Sequence, residues 1–289
     1  MTKTIFSLRK MKGHLEEDAS VSYYLRMQPK EDEGADLTSS KFLKLNDFIG
    51  KDFALEFQGE IACIECGRAM KKSFNQGYCY PCFQTLAECD MCIMKPELCH
   101  YDEGTCRSEE FAEQHCEIEH SIYLSLTSGL KVGITRGYQE VSRWIDQGAV
   151  RAIRIASVKR RKDAGLVEVQ LAKHVADKTN WRKMLKNEYE DCDLVALREE
   201  FQARIDDVLE EHAEGFDEDG YLVRGLRKAT SDAVEIKYPV LEYPQKVKSF
   251  NFDKDPKVEG TLMGIKGQYL ILDTGVINLR KFAGYSCSL

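Results

Sequence analysis

Apolar and polar positions change their period several times along this chain, and each change marks an element. The runs SVSYYLRM (Ser20 to Met27) and DFALEFQGEIACI (Asp52 to Ile64) are rich in β-formers. A polar stretch around Glu31 to Ser40 separates them, so a small sheet is predicted near the start. SIYLSLTSGLKVGIT (Ser121 to Thr135) reads as two strands around a turn at Ser128-Gly129. In Gly137 to Gln147 the spacing of Val141, Trp144 and Ile145 is that of one helical face, and Gly148 stands where a helix stops. Val150 to Val158 is the next strand. From Asp163, the row Val167, Leu171, Val175 predicts a second helix continuing toward Leu185. The order is therefore ββαβα.

Further on, Leu194 to Glu214 reads as an acidic amphipathic helix and Gly215 to Gly225 as a turn-rich linker. Val258 to Phe282 alternates again, with turns expected near Gly264 to Gly267 and Asp273 to Gly275. These strands predict a small barrel or sandwich, completed by the N-terminal strands. The fold class expected is α+β. The expected segments are a β-rich stretch at 1–62, a cysteine region at 63–118, the ββαβα module at 119–188, an acidic helical segment at 189–235 and a C-terminal β segment at 236–289.

A chain of 289 residues with 43% apolar content has enough material for a real core divided among several domains. Apolar runs such as Gln268 to Val276 fall far short of the roughly 20 residues that cross a bilayer. The first residues lack the apolar core of a secretory signal. No membrane partner and a cytoplasmic location are the expectations. The net charge of −7 conceals a split. Lys131 to Lys186 carries 14 Lys and Arg against 5 Asp and Glu, whereas Glu188 to Gly220 carries 14 acids against 2 Arg. The first segment suits phosphates and the second does not.

Eleven cysteines are many, and nine lie between Cys63 and Cys116. Without a secretory signal, a disulfide framework is the weaker reading and metal the stronger. Cys63-x2-Cys66 and Cys79-x2-Cys82 are separated by twelve residues, with Gly67 and Gly77 placed to turn the chain. Two such turns supply four thiolates to one tetrahedral zinc with no open position, a structural site in a zinc-ribbon-like region. A second group begins at Cys89-x2-Cys92. Its preferred set is Cys89, Cys92, Cys106 and Cys116, with Cys99 and His100 in reserve. Two structural zinc ions are expected, while an iron–sulfur cluster or free thiols remain open for the second group.

The order of hairpin, helix, strand and helix, carrying Tyr123, the KVGIT run, Arg143 and Glu168, resembles the GIY-YIG nuclease superfamily. Ser121-Ile122-Tyr123 stands at its first signature and Lys131-Val132-Gly133 at its second. Ser121 departs from the usual Gly, and Lys131 from the frequent Tyr. The whole chain is also similar to an uncharacterised prokaryotic family in which a cysteine block precedes stretches like KVGITR, RWIDQGA and DKTNWRKML.

The nuclease resemblance implies roles. Tyr123 would orient or deprotonate water, Arg143 would hold a phosphate through its planar fork, and Glu168 would bind Mg²⁺ or Mn²⁺. The nucleic-acid contacts expected from charge are Lys131, Arg136, Lys159, Arg160 and Arg161, while His174 and Asn180 are read as surface residues. The expected function is a divalent-metal-dependent endonuclease acting on DNA or RNA. The alternatives are an inactive nucleic-acid-binding protein and a zinc-stabilised interaction scaffold.

Overall fold

The computed structural model describes residues 4–27, 37, 41–175, 180–211 and 226–289. The linker expected at Gly215 to Gly225 lies outside the described residues. Among the described residues the fold is mixed α+β, with three sheets, seven α-helices and a cysteine cluster.

Strands from the two ends of the chain meet in the largest sheet. It contains β1 (Ile5–Ser7), β5 (Asp52–Ala62), β6 (Ala69–Met70), β12 (Lys257–Lys266), β13 (Tyr269–Leu272), β14 (Gly275–Asn278) and β15 (Tyr285–Ser288). The order is β1-β15-β5-β12-β13-β14, with β6 added to β5. All its pairs are antiparallel, with Leu55 opposite Val258 and Phe57 opposite Cys287. The turn expected over Gly264 to Gly267 is shorter than its glycines suggested. Gly264 lies inside β12 at an irregularity, because Val240 crosses so close that a Cβ there would sit 2.6 Å from its Cα. The chain reverses only after Lys266, at Gly267 with φ +61°.

A three-stranded sheet of β2 (Lys12–Leu15), β3 (Val21–Arg26) and β4 (Phe42–Lys44) packs nearby. The third sheet holds β7 (His120–Leu126), β8 (Leu130–Arg136), β9 (Arg151–Val158), β10 (Arg227–Lys228) and β11 (Val234–Glu235). Its order is β10-β9-β7-β8, with β11 also on β9, so β8 ends the sheet. Around it lie α4 (Glu140–Gln147), α5 (Arg161–Ala172), α6 (Trp181–Leu185) and α7 (Leu194–Glu211). Gly148 stops α4 in the left-handed conformation at φ +74°. The single helix expected from Asp163 toward Leu185 is instead two. α5 ends at Ala172, and Asn180 starts α6 by accepting from the N–H groups of Arg182 and Lys183.

Besides β6, the cysteine region contributes short helices: α1 (Tyr80–Thr85), α2 (Met91–Met94) and α3 (Glu109–His115). The apolar core ignores the segment boundaries expected from sequence. One cluster joins Phe6, Leu25, Leu55, Val258 and Leu270 to Tyr123, Trp144 and Ile145. A second lies on the other face of β7, where Ile122 and Leu124 meet Val167 and Leu171 of α5 and Phe201 of α7. Alternation along β7 thus sends Tyr123 one way and its neighbours the other.

Candidate functional site

The first cysteine centre is built by two local turns. After β5, Gly67 at φ +71° reverses the chain, with its N–H on the Cys63 carbonyl at 3.0 Å. Gly77, at φ +139°, lies under Ile64, whose Cγ2 would be 2.7 Å from any Cβ placed there. Cys79 precedes α1, which carries Cys82 in its first turn after Pro81. The four sulfur atoms of Cys63, Cys66, Cys79 and Cys82 all lie within 4.8 Å of one another. Cys66 Sγ and Cys79 Sγ are 3.7 Å apart. Zinc–thiolate bonds of about 2.3 Å in a tetrahedron require about 3.8 Å between sulfurs, so the donor set fits zinc. Burial opposes ionisation of Cys63, but the N–H groups of Cys66, Cys79 and Glu65 prevail and bring its thiol down to about 6. That favours the thiolate a metal needs.

The second cysteine group assembles differently from the expected set. A cavity of about 10 Å³ is lined by Cys92, Cys99, Cys106 and Cys116, together with Asp90 and Arg107. Cys89 is not among its walls: the side-chain amide of Asn75 donates to its sulfur at 3.6 Å, on the side of the first centre. Cys99, not Cys89, lines that cavity with Cys92, Cys106 and Cys116. The reserve candidate His100 gathers with Asp90 and Cys92, the ligand atoms of the three lying within 4.8 Å of one another, and its Nδ1 is 2.8 Å from Thr105 Oγ1.

The residues Tyr123, Arg143 and Glu168, distant in sequence, come together near the β8 end of the third sheet. Tyr123 is fully buried and donates its hydroxyl proton to Gln147 Oε1 at 3.1 Å. Its ring lies across Gly133 of β8, where a Cβ would be 2.5 Å from the phenol oxygen. Only glycine lets the ring cross that strand. Trp144 packs edge-on at 5.9 Å. Burial raises the Tyr123 phenol, and the Arg143 guanidinium beside it opposes the rise. Burial also raises the Glu168 carboxyl above the ordinary range, against the pull of Lys131, Arg143 and Arg161. Glu97, from the cysteine region, adds to that rise, and its backbone lies against Gly165 one turn before Glu168 on the same helix. Sequence reasoning missed both Glu97 and Gln147, since neither stands at an informative spacing.

The basic residues divide sharply. Lys159 is exposed and Lys131 half-buried beside Glu168. Arg136 lies against Tyr138 Oη at 3.0 Å and His115 Nδ1 at 3.1 Å. Arg160 and Arg161 turn inward, away from the role charge alone suggested. Arg160 grips Asp163 at 2.9 Å and Asp102 at 3.0 Å. Arg161 donates to the Ile93 carbonyl at 2.7 Å. His174 meets Arg204 at 3.2 Å at the surface. A larger cavity of about 260 Å³, lined by Arg151, Asn187, Tyr238 and Tyr243 among others, shares no residue with these centres. Among the described residues, no helix is long and apolar enough to cross a membrane.

No curated protein and no solved structure matches the chain. One family profile does, over residues 50–287, a stretch that takes in both cysteine groups and the Tyr123, Arg143 and Glu168 cluster but leaves out all three strands of the N-terminal sheet. The chain thereby belongs to the family described as Protein of unknown function (DUF2797).

Proposed function

We propose that this protein processes nucleic acid as a divalent-metal-dependent endonuclease of GIY-YIG type, with structural zinc in its cysteine region. The observation that carries the reading is the convergence of Tyr123, Arg143 and Glu168 from β7, α4 and α5. Phosphodiester hydrolysis joins a water oxygen to phosphorus, breaks the bond to the leaving oxygen and delivers a proton to that oxygen. A bound Mg²⁺ or Mn²⁺ supplies polarisation of the phosphate and support for the leaving group. Glu168, with the Glu97 loop packed against its helix, offers the hard oxygen donors such an ion takes. Arg143 presents the planar fork that matches phosphate oxygens, and Tyr123 is the group that would orient the attacking water through its hydroxyl oxygen. Lys131, Arg136 and Lys159 supply the positive surface that would draw the backbone in. The cysteine region contributes zinc as a scaffold, with a second ion beyond the Cys63 centre. A cytoplasmic location accords with the same reading.

Purified protein incubated with single- and double-stranded DNA and RNA, with Mg²⁺, Mn²⁺ or a chelator, tests it. Wild type should cut only with the metal, and Glu168→Gln should abolish cutting while leaving fold and nucleic-acid affinity nearly unchanged. Arg143→Lys should also lose most activity, since an ammonium lacks the bidentate fork. Equal cleavage by Glu168→Gln would sink the proposal. One observation favours a binder without cleavage: the Tyr123 hydroxyl is fully buried and spent on Gln147. Salt-sensitive binding with no product under any divalent metal would establish that second reading.

A further inference from the structure

We infer that Asp90, Cys92 and His100 form a second metal centre, which holds one zinc ion through three unlike donors and leaves its fourth position to an exchangeable water. This ion is the second one of the reading above, with ligands other than the all-cysteine set that spacing suggested. The ligand atoms of the three residues lie within 4.8 Å of one another. Cys92 is buried in the first turn of α2, and Asp90 caps that helix by accepting from the Cys92 N–H at 3.3 Å. His100 returns to them after the single turn at Pro96–Leu98. One short segment therefore supplies all three donors.

Hydrogen bonds around His100 decide which ring nitrogen is free. Thr105 Oγ1 donates to the His100 carbonyl at 3.3 Å, so toward His100 Nδ1, 2.8 Å away, it acts as acceptor. The ring proton therefore sits on Nδ1, and Nε2 presents a bare lone pair. That nitrogen faces Asp90 Oδ2 at 3.5 Å. Two acceptors facing each other repel unless a proton or a metal ion lies between them. With zinc–nitrogen and zinc–oxygen bonds of about 2.0–2.1 Å, a tetrahedron sets the two atoms about 3.3 Å apart, close to the distance found. A thiolate, a carboxylate and a neutral imidazole also balance the charge of a divalent ion.

Arg107 holds the carboxylate in place. Its Nε donates to Asp90 Oδ2 at 2.7 Å, while its Nη1 donates to the carbonyls of Phe83 at 3.3 Å and Leu86 at 3.0 Å. The oxygen keeps a second lone pair for the ion, and such outer contacts are what orient a metal ligand. Phe83 belongs to α1, the helix that carries Cys82, so the two centres share a support. Asp90 and Cys92 open on a cavity of about 10 Å³, lined also by Cys99, Cys106 and Cys116, which is room for about one water. Among the described residues those three sulfurs do not gather with the trio within 4.8 Å. Cys106 acts as a thiol, donating to the Ser108 carbonyl at 3.4 Å. Three protein ligands and a water make an open zinc site, in contrast to the closed Cys63 centre.

Metal analysis of the full chain isolated with zinc decides the matter. His100→Ala should hold one zinc fewer than wild type, whereas Cys99→Ser and Cys106→Ser should keep the wild-type number. Unchanged zinc in His100→Ala would overturn the inference, as would loss of an ion in Cys106→Ser. X-ray absorption on the zinc of wild type needs no variant to fold. It should show nitrogen or oxygen at about 2.0–2.1 Å beside sulfur at about 2.3 Å, and sulfur alone would exclude the site. In Cys63→Ser, which removes the other centre, the nitrogen and oxygen share should rise; a fall would count equally against it. The chelator pyridylazoresorcinol should withdraw one zinc ahead of the rest from wild type and lose that early phase in His100→Ala. Release of all zinc in a single phase would rule out the open fourth position. None of these measurements involves nucleic acid, so failure of the endonuclease reading leaves the result standing.

Discussion

The cysteine region and the large sheet sit side by side in one chain but keep their order by different means. Around β5 and β12, Leu55, Val258, Leu262 and Ile265 are wholly buried, and strands from both chain ends interlock. Between Cys63 and Cys116 the buried residues are chiefly cysteines, with Gly77, Ala87, Pro96 and Ala112, while Tyr80, Met91, Met94 and Leu98 stay more than half exposed. Helices of four to seven residues are too short to persist on their own. A region that buries so little apolar surface needs cross-links, whereas the sheet needs none. The difference teaches where each part should fail first.

Metal removal should produce the largest effect. Structural zinc binding contributes about 10–16 kcal/mol in small zinc domains, inseparable from folding. Strong chelation should therefore expose the amides of 63–116 to hydrogen exchange while β12 to β14 remain protected. Simultaneous loss of protection in both regions would erase the contrast.

Leu55→Ala should act in the reverse sense. Removing a fully buried leucine side chain typically costs about 2–5 kcal/mol. The urea midpoint should fall by a corresponding amount, with zinc content unchanged. Loss of zinc from the folded variant would mean that the two regions depend on each other more closely than their packing suggests.

The smallest effect concerns His120, the first residue of β7 in the third sheet, just after the cysteine region. Burial holds its imidazole down to about 4, from an ordinary value of 6.5. Between those values the unfolded chain binds a proton that the folded chain refuses, so stability falls as pH drops below 6.5. The loss approaches about 3 kcal/mol near pH 4. Urea midpoints measured from pH 7 to pH 4.5 should decline less steeply in His120→Asn than in wild type. Parallel declines would assign the acid sensitivity to the zinc thiolates instead.

Much of this was legible in the residues alone, and the rest was not, for a consistent reason. The hairpin Ser121 to Thr135, the helix ending at Gly148 and the Cys63 centre each depend on neighbours within one or two turns of chain. Gly67, Gly77 and Gly148 impose their backbone conformations wherever the chain carries them. Asn180 divides the second helix for an equally local reason, yet the apolar row Val167, Leu171, Val175 hid it. Charge was the least reliable guide: Arg160 and Arg161 look like a phosphate-binding pair in sequence, but Asp102 and the Ile93 carbonyl, some sixty residues earlier, claim them.

By itself, then, the sequence determined the elements, the α+β class and the first four-cysteine set, because spacing and turn residues act over distances the backbone fixes. Only the tertiary structure decided that Cys99 rather than Cys89 lines the cavity beside Cys92, and that His100 and Asp90 gather with Cys92. It also brought the Glu97 loop against the helix of Glu168 and set Cys287 opposite Phe57. Those choices depend on which surfaces pack together, and packing selects among partners that spacing leaves equivalent.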